Sequence, residues 1–229
     1  MELKAQGVTK EFIRESKGTN RFTAVDSTDL ILSGGELTVL LGRSGSGKTT
    51  LLNMLAGLLT PTSGSITLDG QDIYSLPDKE LSRLRNLHIG VIPQGQTAIH
   101  SLTVLENILL PYTLYGDLTG EATAYASELM EQLDIAHLAS AKPSELSGGE
   151  LRRMAIARAY IRKPEIILAD EPTGDLDDEN TRTVFEALRK AASDGAAVLA
   201  VTHESIAEEY ADRVFRMNKG VIGSAAAER

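Results

Sequence analysis

The stretch Gly42-Arg43-Ser44-Gly45-Ser46-Gly47-Lys48-Thr49 reads G-x-x-x-x-G-K-T, the spacing of a phosphate-binding loop. The apolar run Leu37-Thr38-Val39-Leu40-Leu41 precedes it and predicts a buried parallel strand. Thr50-Leu51-Leu52-Asn53-Met54-Leu55-Ala56 follows with helical spacing. Strand, glycine loop and helix in that order give the motif its chemistry. The glycines let backbone N–H groups turn toward an anion, and the helix N-terminus adds partial positive charge. Lys48 is placed to reach the β/γ-phosphates and the Thr49 hydroxyl to ligate Mg²⁺, with Thr50 beside it in the first helical turn. The plain alternative is a glycine-rich turn. The fixed positions alone arise by chance in about one chain in a hundred of this length, and the flanking pattern makes chance rarer still. The chain reads as nucleotide-binding.

The bulk properties bound what else it can be. A chain of 229 residues suits one large α/β domain, with room for an inserted subdomain. Hydrophobic residues make up 42% and charged residues 24%, enough for a sizeable core. The 23 basic and 32 acidic residues give a net charge of −9, which argues against nucleic acid as a general partner. With no cysteine, disulfides and thiolate metal sites are excluded. No apolar stretch approaches the roughly 20 residues of a membrane span. Met1-Glu2-Leu3-Lys4 does not read as a signal peptide. Work at a membrane would therefore require other chains.

Along the chain, residues 3–13 and 22–32 alternate as antiparallel strands around the polar loop Glu15 to Asn20. Ile66-Thr67-Leu68 is a short strand. Pro77 suits the first position of a helix to about Leu87, and Ile89 to Ile92 is a strand ended by Pro93. Strand signals vanish from Gln94 to about Ala141, where Thr103–Tyr115 and Glu121–Leu133 are the clearest helices. A long helix then runs from the Ser147 region to about Ile161. Strands return at 166–169, 198–201 and 213–217, with a helix from about Asn180 to Ala192. The tail from Gly223 reads as frayed. The expected organisation is one domain over 1–229. Its α/β core comprises 1–93 and 160–223, with an inserted helical subdomain at about 94–159 and a tail at 224–229.

Several constellations sit beside the loop. Ile166-Ile167-Leu168-Ala169-Asp170-Glu171 is an apolar strand ending in two carboxylates, and open α/β sheets bind ligands at that end. Asp170 is placed to hold Mg²⁺ and Glu171 to accept a proton from an attacking water. A solvated strand end is the plain alternative. Ser147-Gly148-Gly149-Glu150 opens a helix as a capping box, and its two glycines exceed what a cap needs. They suggest a second anion surface, to be met by a phosphate held on another copy across a two-fold axis. Gln94, after a strand, is placed to reach Mg²⁺ or the attacking water. His203, after another, is placed to donate to the γ-phosphate. Asp177 reads as a helix N-cap. Arg152, Arg153, Arg158, Arg162 and Lys163 read as a solvated basic helix face. His88, His100 and His137 have no comparable context.

Together, Gly42–Thr49, Gln94, Leu146–Glu150, Asp170-Glu171, Asp177 and His203 resemble the ATPase domain of ABC transporters, in order and across nearly the whole chain. The resemblance implies a P-loop NTPase fold: a mostly parallel sheet, an antiparallel β subdomain and an inserted helical subdomain. It implies that two copies bind two ATPs with Mg²⁺ head to tail. Ser147 and Gly149, within Ser147-Gly148-Gly149-Glu150, would touch the γ-phosphate held by the facing copy, and Asp177 would contact that copy. Phe12 sits where an aromatic residue commonly stacks on adenine. The helical subdomain and the loop after Gln94 would dock a short helix of an integral membrane permease subunit, at the cytoplasmic face of the cell membrane.

Ala169-Asp170-Glu171-Pro172-Thr173-Gly174-Asp175-Leu176-Asp177 and Leu102–Ile108 resemble one subgroup. It contains the lipoprotein-release, macrolide-export, bacitracin-resistance and cell-division ATPases. Three departures stand out: Pro93 for an aromatic residue, Leu151 for a glutamine, and Phe12 for the commoner tyrosine. None removes a phosphate or metal group. The competing readings are a soluble ABC ATPase of DNA repair or translation, an importer ATPase, and a non-hydrolysing ATP switch. The first usually needs paired units or a coiled-coil insert. The last conflicts with an intact Glu171 and His203.

Overall fold

A computed structural model describes residues 1–15, 19–95, 97–174 and 176–224. The chain folds as two sheets with helices between and outside them. In the first, β1 (Glu2–Glu15), β2 (Thr19–Ser33), β4 (Ser63–Leu68) and β5 (Gln71–Asp72) pair antiparallel in the order β2-β1-β4-β5. In the second, β3 (Leu37–Leu41), β6 (Ile89–Ile92), β7 (Ile166–Asp170), β8 (Ala197–Thr202), β9 (Arg213–Asn218) and β10 (Val221–Ser224) follow the order β10-β9-β3-β8-β7-β6. Only the β10–β9 pair is antiparallel there. This is the α/β fold expected, a P-loop NTPase core with a mostly parallel sheet.

The central strands are apolar at nearly every position because both sheet faces are covered. Side chains alternate between faces, and the burial follows. Leu37, Val39 and Leu41 of β3, Ile167 and Ala169 of β7, and Val198 and Ala200 of β8 enter one core. Leu40, Ile166, Leu168, Ala197, Leu199 and Val201 enter the other. The second core lies between the two sheets and holds α1 (Lys48–Leu55) through Leu51, Leu52, Met54 and Leu55. The first is roofed by α6 (Asp178–Ser193) and by α3 (Val104–Thr113), α4 (Gly120–Gln132) and α5 (Gly148–Tyr160). Phe185 of α6, fully buried, stacks on Tyr210 with ring centroids 5.4 Å apart.

Several element ends differ from expectation. The first two strands run longer, taking in Glu15 at the end of β1 and Thr19 and Asn20 at the start of β2; residues 16–18 lie outside the described part. Pro77 sits one residue before α2 (Asp78–His88), in the N-cap position, because its extended ψ of 148° ends the preceding segment. The tail expected to fray from Gly223 is corrected: Gly223 and Ser224 belong to β10 and pair with Arg216 and Phe215. Residues 225–229 lie outside the described part.

The topology positions the site. Parallel β3, β8, β7 and β6 are adjacent, so their carboxyl ends share one edge of the sheet. The chain leaves that edge at Gly42, His203, Glu171 and Pro93-Gln94. Phe185→Ala should cost about 3–5 kcal/mol through the cavity it leaves. Urea denaturation checks this; a loss under about 1 kcal/mol would mean that α6 does not anchor the first core.

Candidate active site

The loop after β3 is shaped for an anion. Gly47 has φ of 107°, and a Cβ there would lie 2.2 Å from the Ala24 carbonyl oxygen of β2, so only glycine fits. Among the described residues no side chain caps the N-terminus of α1, and its first turn holds no acidic residue. By contrast, Thr103, Thr119, Ser147 and Asp177 cap α3, α4, α5 and α6. The first N–H groups of a helix have no intrahelical acceptor, so the positive end of α1 is left for a ligand. The Ser46 hydroxyl beside it is buried, with no hydrogen-bond partner among the described residues. Arg43, Ser44 and Gly45 form the exposed tip of the loop, and Thr50 is partly buried in the first turn of α1.

The Lys48 side chain, 5% exposed, turns back into the loop. Its ammonium donates to the Gly42 carbonyl at 2.7 Å and lies 3.3 Å from Glu171 Oε1. The Thr49 hydroxyl donates to Asp170 Oδ1 at 3.1 Å. The other Glu171 oxygen, Oε2, lies 2.9 Å from His203 Nδ1 and accepts from the His203 N–H at 3.3 Å. The backbone of Glu171, at φ of 44°, is left-handed, strained for a residue with a side chain. That turn lifts the carboxylate out of the β7 line. Burial pushes the Asp170 carboxyl above the usual range; the Thr49 hydroxyl and the Lys48 and Arg152 charges pull it down, while Glu171 adds to the rise.

Gln94 is exposed and shares a cleft of about 310 Å³ with Gly148, Arg152, Glu171, Gly174 and Leu176. Lys48, Thr49, Asp170, Glu171 and His203 are thus joined by direct contacts, with Gln94 across the cleft. A larger cavity, about 670 Å³, lies elsewhere between α4 and α6 and is lined by none of these residues. Ser147 and Glu150 form the reciprocal cap: Glu150 N–H donates to Ser147 Oγ at 3.3 Å, and Glu150 Oε2 accepts from Ser147 N–H at 2.6 Å. The Ser147 N–H and the Ser147 hydroxyl, which donates to the same oxygen at 2.8 Å, hold the Glu150 carboxyl below its usual range. Ser147 and Gly148 are both exposed, and a Cβ on Gly148 would meet open space. A Cβ on Gly149 would sit 3.7 Å from Leu176. Asp177 is exposed and accepts from the Asn180 N–H at 2.8 Å. Phe12 pairs across β1–β2 with Phe22, and the Lys10 ammonium sits 5.5 Å from its ring centroid.

The arginines of α5 overturn the solvated-face expectation. Arg152 is 9% exposed and donates to the carbonyls of Pro93 and Glu171 at 2.8 and 3.0 Å. Arg153 bonds Asn180, and Arg158 bonds Thr97. Arg162, just past the helix, grips Asp117 with both nitrogens and stacks on Tyr112. The Lys163 ammonium lies over the Tyr125 ring. The signal available in the sequence is the apolar run Met154-Ala155-Ile156-Ala157, which marks α5 as buried around much of its circumference. His88, assigned no role, pairs with Glu165 at 3.0 Å.

Comparison with known proteins bears on this geometry. A family model described as ABC transporter matches residues 25–174. The chain is 37% identical over 96% of its length to the lipoprotein-releasing system ATP-binding protein LolD of Xanthomonas euvesicatoria, covering 89% of that protein. The LolD of Psychrobacter arcticus is 39% identical, with 95% and 96% covered. Among solved structures, the bacterial ABC transporter cassette MJ0796 in dimeric form superposes with a TM-score of 0.89 at 35% identity, covering 96% of both chains. The same cassette in a dimeric post-hydrolysis state bound to ADP and Pi gives 0.89 at 33% identity, with 97% and 98% covered.

The electrostatics of Asp170 give a stability test. A carboxyl whose folded pKa is raised stabilises the fold below its unfolded pKa, and that stability is lost as pH rises through the folded value. Near neutral pH the ionised Asp170 therefore carries a cost that an uncharged amide in its place would not. Asp170→Asn should raise the Tm of the nucleotide-free protein by about 1–3 °C near pH 7, with the gain shrinking toward about pH 4. A pH-independent change in Tm would contradict the raised carboxyl.

Proposed function

The chain belongs to the ABC transporter family and is an ATPase, and from that premise we propose that it powers a membrane transporter through two nucleotide sites shared between two copies of itself. The observation that carries this reading is the Glu171 carboxylate, held between Lys48 and His203 in front of the bare N-terminus of α1.

ATP binds with its β/γ-phosphates over Gly42–Thr49 and the first turn of α1, where the N–H groups and the buried Ser46 hydroxyl offer donors. Lys48 exchanges Glu171 for the γ-phosphate. Glu171 keeps its contact to His203 and orients the water that attacks in line, taking its proton. His203, 63% exposed at the side chain, turns its imidazole to the γ-phosphate. The Thr49 hydroxyl and the Asp170 carboxylate present hard oxygen donors at one point, which fits Mg²⁺ with Gln94 approaching from the cleft. When bound, that ion neutralises charge between the phosphates.

A second copy supplies the rest. Ser147 and Gly149, with the exposed Gly148 between them, face the γ-phosphate held by the partner, and Asp177 contacts the partner. This is supported by the open space at Gly148 and by the dimeric state of the MJ0796 cassette. Phe12 stacks on adenine, its ring replacing water on an exposed strand. A cytoplasmic helix of an integral membrane subunit docks on the helical subdomain and the loop after Gln94, on the side where α3 meets α2 and β6. There, Leu114 and Tyr115, both exposed, and Leu58 rim a cleft of about 440 Å³ with Arg85, Arg158 and Arg162. Among the described residues no helix is long and apolar enough to cross a membrane, so this partner brings the chain to the cytoplasmic face. The LolD relatives favour release or export over import.

Glu171→Gln should lower kcat by about 10²–10³ while retaining ATP and accumulating a dimer, read by light scattering. Hydrolysis at the wild-type rate would remove Glu171 from the base role. Lys48→Ala should weaken ATP binding by about 10–100-fold, measured by titration. Unchanged affinity would contradict its contact with phosphate.

A further inference from the structure

We propose that Arg152 is a positioning residue for hydrolysis, tying the backbone of Glu171 to the chain just ahead of Gln94 and to the helix that begins after Ser147. It rests on the reading of Glu171 as the base, and it concerns what sets the direction of that base.

The geometry is specific. Arg152 lies on α5, close behind the capping box. Its Nη1 donates to the Pro93 carbonyl at 2.8 Å and its Nη2 to the Glu171 carbonyl at 3.0 Å. A guanidinium presents two donors at fixed separation in one plane, which an ammonium does not. Both carbonyls lie just past strand ends, Pro93 after β6 and Glu171 after β7, where the ladder no longer supplies partners. A buried guanidinium needs its donors satisfied, so the fork and the two carbonyls define each other.

Glu171 depends on that support. Its φ of 44° is strained, and strained backbone persists only where its surroundings over-determine it. Its N–H donates to Val201 of β8 at 2.8 Å. Its carbonyl accepts from Arg152 at 3.0 Å and from the Gly174 N–H at 3.2 Å. The sheet holds one side of this peptide and α5 holds the other. A tilt of α5 against the sheet would drag the Glu171 carbonyl and swing the carboxylate, with Gln94 following through Pro93. Arg152 therefore makes the aim of the base depend on the placement of the helix that faces the second copy.

The test uses the purified full chain, with steady-state ATPase, equilibrium ATP titration and thermal melting on each variant. Arg152→Met should lower kcat by about 10–100-fold, the scale of a small misplacement at a reacting centre, with ATP affinity within about twofold. Arg152→Lys keeps the charge and the stem but loses the fork, and should recover only a minor part of kcat. Should the methionine variant not fold, the lysine variant carries the same comparison. Either variant turning over at the wild-type rate overturns the role, as does a joint fall of kcat, affinity and melting temperature, which would make Arg152 merely structural. Glu171→Gln is the control. If it stays active, the base reading fails whatever Arg152 does. If it is inactive while Arg152→Met is unimpaired, only the positioning role fails.

Discussion

The Lys48 ammonium and the Glu171 carboxylate face each other at 3.3 Å, with side chains only 5% and 11% exposed. Neither charge could sit there alone, since an uncompensated buried ion costs several kcal/mol. The pair joins the loop after β3 to the turn after β7, across the end of β8. It also makes the site ready for exchange rather than for fresh burial of charge. On the proposed mechanism an incoming phosphate replaces the carboxylate beside Lys48, and the carboxylate keeps the contact it makes with His203 Nδ1. Glu171 can change partners without leaving the site because its backbone is held separately, by Val201, Gly174 and Arg152.

The helix ends explain how a chain of net charge −9 nonetheless presents an anion site. Capping side chains close α3, α4, α5 and α6. The helix α2 lacks one but carries Asp78 and Glu80 in its first turn, which offset its positive end. At α1 neither device is present among the described residues. Attraction for a phosphate is local, set by backbone dipoles and one lysine, and independent of the overall field.

How much of this can be read from the sequence depends on how local each cause is. The glycine loop, the apolar strands and the caps at Ser147 and Asp177 follow from neighbouring residues, and the structure has them within a residue or two. Apart from the β1–β2 hairpin, which strand pairs with which does not follow from any local pattern. Gly223-Ser224 carries no strand signal; it is ordered because β9 offers it an edge. The left-handed turn at Glu171 is invisible in the sequence for want of a glycine. Arg152 misleads because charge on a helix usually marks solvent, whereas here a long side chain reaches two carbonyls that local pattern could not bring near. The joining of Lys48, Thr49, Asp170, Glu171 and His203 at one edge is a product of strand order, not of spacing.

That strand order has a bearing on how the chain is made. The strand β3, which carries the phosphate loop, pairs with β8 and β9, both far downstream. On a ribosome adding about 5–20 residues per second, Leu37–Leu41 must wait on the order of ten seconds before either neighbour exists. Until then an almost wholly apolar strand has both edges open. The first sheet can assemble earlier, since β1, β2, β4 and β5 all precede Ile73, and with α1 it can cover one face of the waiting strand. The nascent chain is thus expected to fold in two stages, with the nucleotide loop completed last and only after most of the polypeptide has emerged.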